Sequence, residues 1–91
     1  MTNVEMFRTL ANEMADLYEK KNAAYGNSFS RSIEKYGIIA GLTRLSDKFN
    51  RAVNLILGAK NDVADENLAD TLMDMASYSI MLLMELPNAK R

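Results

Sequence analysis

Three carboxylates recur every fourth residue, at Glu66, Asp70 and Asp74, within the most apolar segment of the chain. Around them stand Leu68, Ala69, Leu72, Met73, Met75 and Ala76, then the run Ile80, Met81, Leu82, Leu83 and Met84. Side chains four apart share one helix face, about 6 Å from each other along the axis. A helix this apolar has to bury most of its surface. A buried carboxylate is costly unless a positive group compensates it. The pattern therefore calls for a helical bundle around this segment and a partner for its acids: Arg, Lys or a hard divalent cation.

The same period runs through the rest of the chain. Thr2 followed by Glu5 has the spacing of a capping box. Val4, Phe7, Leu10, Ala11, Met14, Leu17 and Tyr18 form a stripe of helical period, so a first helix is predicted from Thr2 to about Asn22 or Ala24. Gly26 and Asn27 tolerate left-handed backbone angles and mark a break. A short helix over 30–36 follows, ending at Gly37. Ile38, Leu42, Leu45, Phe49, Ala52, Val53 and Ile56 predict a second long helix over 38–57, with Gly58 just past its end. Residues 59–63 read as a polar connection, and a third long helix starts near Asp62 or Asp65 and stops at Leu86, before Pro87. No segment alternates polar and apolar residues for long enough to make a strand.

The expected fold is one all-α domain over 1–91, with three long helices and a short one. Three helices close poorly around a chain that is 48% apolar with seven methionines, so homo-oligomerisation into a larger bundle, as a dimer or tetramer, is expected. The N-terminus lacks a basic-then-apolar signal pattern, and no apolar run is long enough to span a bilayer. The expected setting is cytoplasmic, the host cytoplasm if the chain is phage-encoded, with no membrane partner.

The inventory narrows the chemistry. There is no cysteine and no histidine, which removes thiolate and imidazole chemistry and soft-metal sites. Carboxylates, Lys, Arg, Tyr and amides remain, a set suited to magnesium or manganese. A net charge of −1 supplies no basic field to hold a nucleic acid polymer.

Three constellations could carry function. The acidic ladder reads either as a solvated polar stripe or as a metal grip. Like charges at this spacing slightly destabilise a helix, which weighs against decoration. Arg44, Asp47, Lys48 and Arg51 share one face of the second long helix. They read as intrahelical ion pairs, or as a phosphate clamp in which Asp47 joins a metal shell. The break at Tyr25 to Phe29 reads as a turn with aromatics tucked inward, or as a base-recognition loop. In the second case Tyr25 stacks on a nucleobase, Asn27 reads its edge, and Lys20 and Lys21 add positive charge beside it.

Three blocks together resemble a known family: KKNAAYGNSF at 20–29, RLSDKFNR at 44–51 and DENLADTLMDMASY at 65–78. They resemble the nucleotide-modification-associated domain of phages and bacteria. That domain in turn looks related to the MazG-like all-α nucleoside triphosphate pyrophosphatases. Those enzymes are helical and oligomeric. They hydrolyse (d)NTPs to monophosphate and pyrophosphate with magnesium, using a pair of glutamates on one helix and an E-x-x-D motif on the next. Asp74 falls at the final acid of that motif, with Thr71 in place of its glutamate, and Asp47 is the only acid in the preceding block.

The resemblance implies a metal-dependent (d)NTP pyrophosphohydrolase linked to phage nucleotide modification. Its catalytic residues would be Asp47, Asp70 and Asp74. Its magnesium or manganese would be held by Asp47, Glu66, Asp70 and Asp74. Its substrate would be bound by Lys21, Tyr25, Asn27, Arg44, Lys48 and Arg51. The alternative is a non-catalytic nucleotide-binding or oligomeric scaffold module built on the same helices.

Overall fold

In the computed structural model, residues 1–25, 27–58 and 67–88 are described, and among them there are four α-helices and no strand. Helix α1 spans Asn3–Tyr25, α2 spans Ser28–Tyr36, α3 spans Ile39–Ile56 and α4 spans Leu68–Glu85, followed by a 3₁₀ turn at Leu86–Asn88. The all-α expectation holds, with three long helices and one short. No described helix is long and apolar enough to cross a membrane.

Local chemistry sets the helix ends. At the start of α1 the Glu5 N–H donates to Thr2 Oγ1 at 3.1 Å, and the Thr2 N–H donates to Glu5 Oε1 at 3.2 Å, so the expected capping box forms. These bonds hold the Glu5 carboxyl below its ordinary value. Asn27 adopts the left-handed region, φ 61°, immediately before α2, which begins two residues earlier than expected. Gly37, at φ 87°, ends α2, and its N–H donates to Ile33 O at 2.7 Å. Gly58 at φ 79° lies just beyond α3, as expected.

The start of α4 differs from the sequence reading. Asn67 is its N-cap: Asn67 Oδ1 accepts the Asp70 N–H at 2.8 Å, and Asp70 Oδ2 accepts the Asn67 N–H at 3.5 Å. Asn and Asp here do what Ser/Thr and Glu do in the commoner capping box. The helix therefore begins after Asn67 rather than near Asp62 or Asp65, both of which lie outside the described residues. Pro87 falls inside the closing 3₁₀ turn.

The core lies where α2, α3 and α4 meet. Phe29, Ile33 and Leu82 form its buried cluster, with Ile38, Ala40, Leu45, Tyr78 and Met81 packed around it. The Phe29 and Tyr78 rings stack at 5.7 Å between centroids. Burial of each large apolar side chain contributes about 1.5–3 kcal/mol, so this small core is thin for the chain's length. Gly41 lets α3 approach closely: a Cβ there would overlap the Leu82 Cδ2 methyl and come within 3.0 Å of Phe29 Cζ. Helix α1 contributes no buried residue and packs chiefly against α4.

Candidate functional site: a cationic cleft beside α1

A cleft of about 340 Å³ opens where α1 lies across the rest of the bundle. From α1 it receives Met14, Leu17, Tyr18, Lys21, Asn22 and Tyr25, the side chains of successive turns on one face. Ser28 and Phe29 contribute from α2, and Arg44 and Lys48, one helical turn apart, from α3. The opposite wall is α4, with Met73, Asp74, Ser77, Tyr78 and Met81. This volume lies toward the small end of small-molecule sites.

The polar centre of the cleft is one carboxylate between two ammonium groups. Lys48 Nζ lies 2.9 Å from Asp74 Oδ2, and Lys21 Nζ lies 3.4 Å from Asp74 Oδ1. The Asp74 and Lys48 side chains are 19% and 24% exposed, whereas Lys21 is 53% exposed. The Lys48 arm is therefore the stronger, and the Lys21 arm is screened by solvent. The acid of the apolar helix thus finds its compensation in lysine, one of the three partners that the sequence called for.

Among the described residues, Lys21, Arg44 and Lys48 stand against the single carboxylate of Asp74 in the lining of the cleft. Tyr18, Tyr25 and Tyr78 line the same space, offering flat rings with hydroxyl tips, and Ser28, Ser77 and Asn22 add neutral hydrogen-bonding groups. Asn22 Nδ2 also donates to Asn27 Oδ1 at 2.7 Å, tying the end of α1 to the turn before α2.

Of the residues singled out from sequence, Lys21, Tyr25, Arg44, Lys48 and Asp74 meet in this cleft. The others do not. Asp70 is exposed and belongs to the α4 cap. Asp47 is exposed on α3 and does not line the cleft, nor does the half-buried Arg51. Asn27 stays outside the lining and accepts from Asn22. Glu66 lies outside the described residues. Sequence reasoning missed Asn22, Ser77, Tyr18 and Tyr78 as site residues. Tyr18 reads as one more member of the apolar stripe of its helix and Tyr78 only as the end of a resemblance block; the packing of α1 against α4 brings both to one cavity.

A hard cation asks for several oxygen ligands. Among the described residues no group of three or more acids gathers. Asp74, the one carboxylate of the lining, is already shared by two lysines. The described residues of one chain therefore do not fit a magnesium centre.

No curated protein and no solved structure is detectably similar to this chain. The family model described as nucleotide modification associated domain 1 matches residues 21–86, which covers every residue that α2, α3 and α4 bring to the cleft together with Lys21, Asn22 and Tyr25 of α1. That match takes in well over half of the chain, and the chain belongs to the nucleotide modification associated domain 1 family.

Proposed function

We propose that the cleft binds a nucleotide, with phosphate on Lys21, Lys48 and Arg44 and the base against the tyrosines. One observation carries this reading: among the described residues, three cations and a single carboxylate line one cleft together with three tyrosines. Lysine and arginine suit phosphate oxygens, arginine as a fork and lysine as a mobile point charge. Flat aromatic walls suit a nucleobase. The family's association with nucleotide modification agrees with this ligand class.

Calorimetric titration with a panel of deoxynucleoside mono- and triphosphates, with and without magnesium, tests the proposal. Saturable binding that weakens with added salt, and weakens again in Lys48→Ala, is the expected result. Absence of binding across the panel overturns it.

Metal-dependent (d)NTP hydrolysis is the second reading, supported by the position of Asp74 in the motif resemblance. It needs more carboxylates than the described residues of one chain bring to the cleft. Pyrophosphate release from (d)NTPs with magnesium or manganese, abolished in Asp74→Asn, is its test.

A further inference from the structure

Helix α1 meets the cleft only from Met14 onward, with Lys21 against Asp74. Its apolar stripe nevertheless continues toward the N-terminus, where it is exposed: Val4 is 60% exposed, Phe7 76% and Leu10 49%. Helices in proteins take most of their stability from packing along an apolar face. This stripe also lies outside the residues that the family model matches, which begin at Lys21.

The surface area indicates what covers it. The chain exposes 7110 Å². A folded monomer of its mass exposes about 5,300 Å², so the excess is roughly 1,800 Å² per chain. Two chains burying that excess against each other would remove about 3,600 Å², within the range of obligate homodimers. The uncovered surface is shared among helices: Phe49 and Ile56 on α3 and Leu83 on α4 are also more than half exposed. A second copy can thus meet apolar with apolar under two-fold symmetry.

We infer that a second copy of this chain covers the Val4, Phe7 and Leu10 stripe, and that this contact fixes the α1 wall of the cleft, so that self-association and anion binding are linked. The linkage rests on the nucleotide reading of the cleft. Its physical basis is that α1 carries Lys21, Asn22 and Tyr25 into the site yet has no fully buried residue of its own. A ligand that needs α1 in place binds more weakly when α1 is loosely held, because it must supply the ordering itself.

The test uses the full chain and inorganic tripolyphosphate as the probe. Sedimentation equilibrium of wild type should give a mass of at least twice the 10.2 kDa chain. Phe7→Lys with Leu10→Lys should reduce it to one chain and weaken tripolyphosphate binding at least tenfold. Both side chains are exposed in the single chain, so circular dichroism should show the helices retained. Hydrogen exchange of wild type needs no variant: amides at residues 4–10 should be protected, and exchange at the rate of a free helix overturns the interface. A wild-type monomer overturns it too and leaves the stripe to some other partner. An oligomer whose dissociation leaves the affinity unchanged overturns the linkage. An oligomer that binds no tripolyphosphate in any state refutes the phosphate reading of the cleft and the linkage with it, while self-association is decided by the mass alone.

Discussion

Asp74→Asn separates an anion-binding cleft from a metal-dependent one by the sign of its effect. The substitution keeps the side chain's shape and removes its charge. In wild type Asp74 occupies the position between Lys21 and Lys48, its oxygens 3.4 and 2.9 Å from their nitrogens. A phosphate held by the same two lysines would lie on the order of 5 Å from the carboxylate. At an effective dielectric near 20, two like charges at that distance repel by about 3 kcal/mol. Lys21 is half exposed and the cleft is open to water, so roughly half of this should survive screening. Removing the charge should therefore tighten binding by about 1–2 kcal/mol per phosphate charge in contact, or roughly five- to thirtyfold.

The same change removes the Asp74 carboxylate from a partly buried Lys48. The fold should lose about 1–2 kcal/mol, read as a drop in thermal midpoint of roughly 4–15 °C for a domain of this size. The assay is calorimetric titration at two salt concentrations, paired with thermal unfolding followed by circular dichroism. Tighter binding on a less stable fold is the expected combination. Loss of binding in a folded Asp74→Asn protein would refute the reasoning, because Asp74 would then be holding the ligand or its metal rather than competing with it.

Three further substitutions or conditions probe the frame around the cleft. Gly41→Ala should destabilise by about 1–2 kcal/mol despite alanine's better helix propensity, because its methyl meets buried Leu82 and Phe29; urea unfolding reads this, and equal or greater stability would contradict the close approach of α3. Asp70→Ala should cost only roughly 0.3–1 kcal/mol, because it removes the acid of the first turn and its bond to the Asn67 N–H but keeps the Asn67 cap, and it should leave nucleotide affinity unchanged; a large loss of affinity would return Asp70 to the site. Glu5 has a lowered folded-state value, so its contribution is complete above the ordinary value of 4.5 and is lost as pH falls through the folded one; fraying of α1 on acidification, followed by amide exchange at residues 2–6, should be absent in Glu5→Gln.

The helices were legible because their apolar residues recur at helical spacing, and several ends were legible because the residues there have few other uses. Thr2 with Glu5, Gly37 and Gly58 each mark a boundary by a hydrogen bond or a left-handed angle that those residue types favour. The start of α4 was obscured by an ambiguity of spacing. Asp70 is four residues from Asp74 and three from Asn67, so it fits both an acidic ladder and a capping box, and the Asn67 N–H claims its carboxylate.

Sequence period places residues on a face of their own helix but does not say which helix that face will meet. Arg44 and Lys48 share their face with Asp47 and Arg51 closely enough to read as one cluster, yet only the first two reach the cleft. Tyr18 was indistinguishable from a core aromatic for the same reason. The cavity that it shares with Tyr78 depends on how α1 packs against α4, a tertiary property set by which turns meet.

The account depends most on phosphate and base occupying the space between α1, α3 and α4. The direct measurement is a nuclear magnetic resonance titration of the isotope-labelled chain with deoxynucleotides, following backbone and side-chain signals together. Saturable shifts concentrated at Lys21, Asn22, Tyr25, Lys48 and Tyr78 are the predicted result. Shifts centred on the exposed Asp47 and the cap residue Asp70, with the cleft signals unmoved, would contradict it.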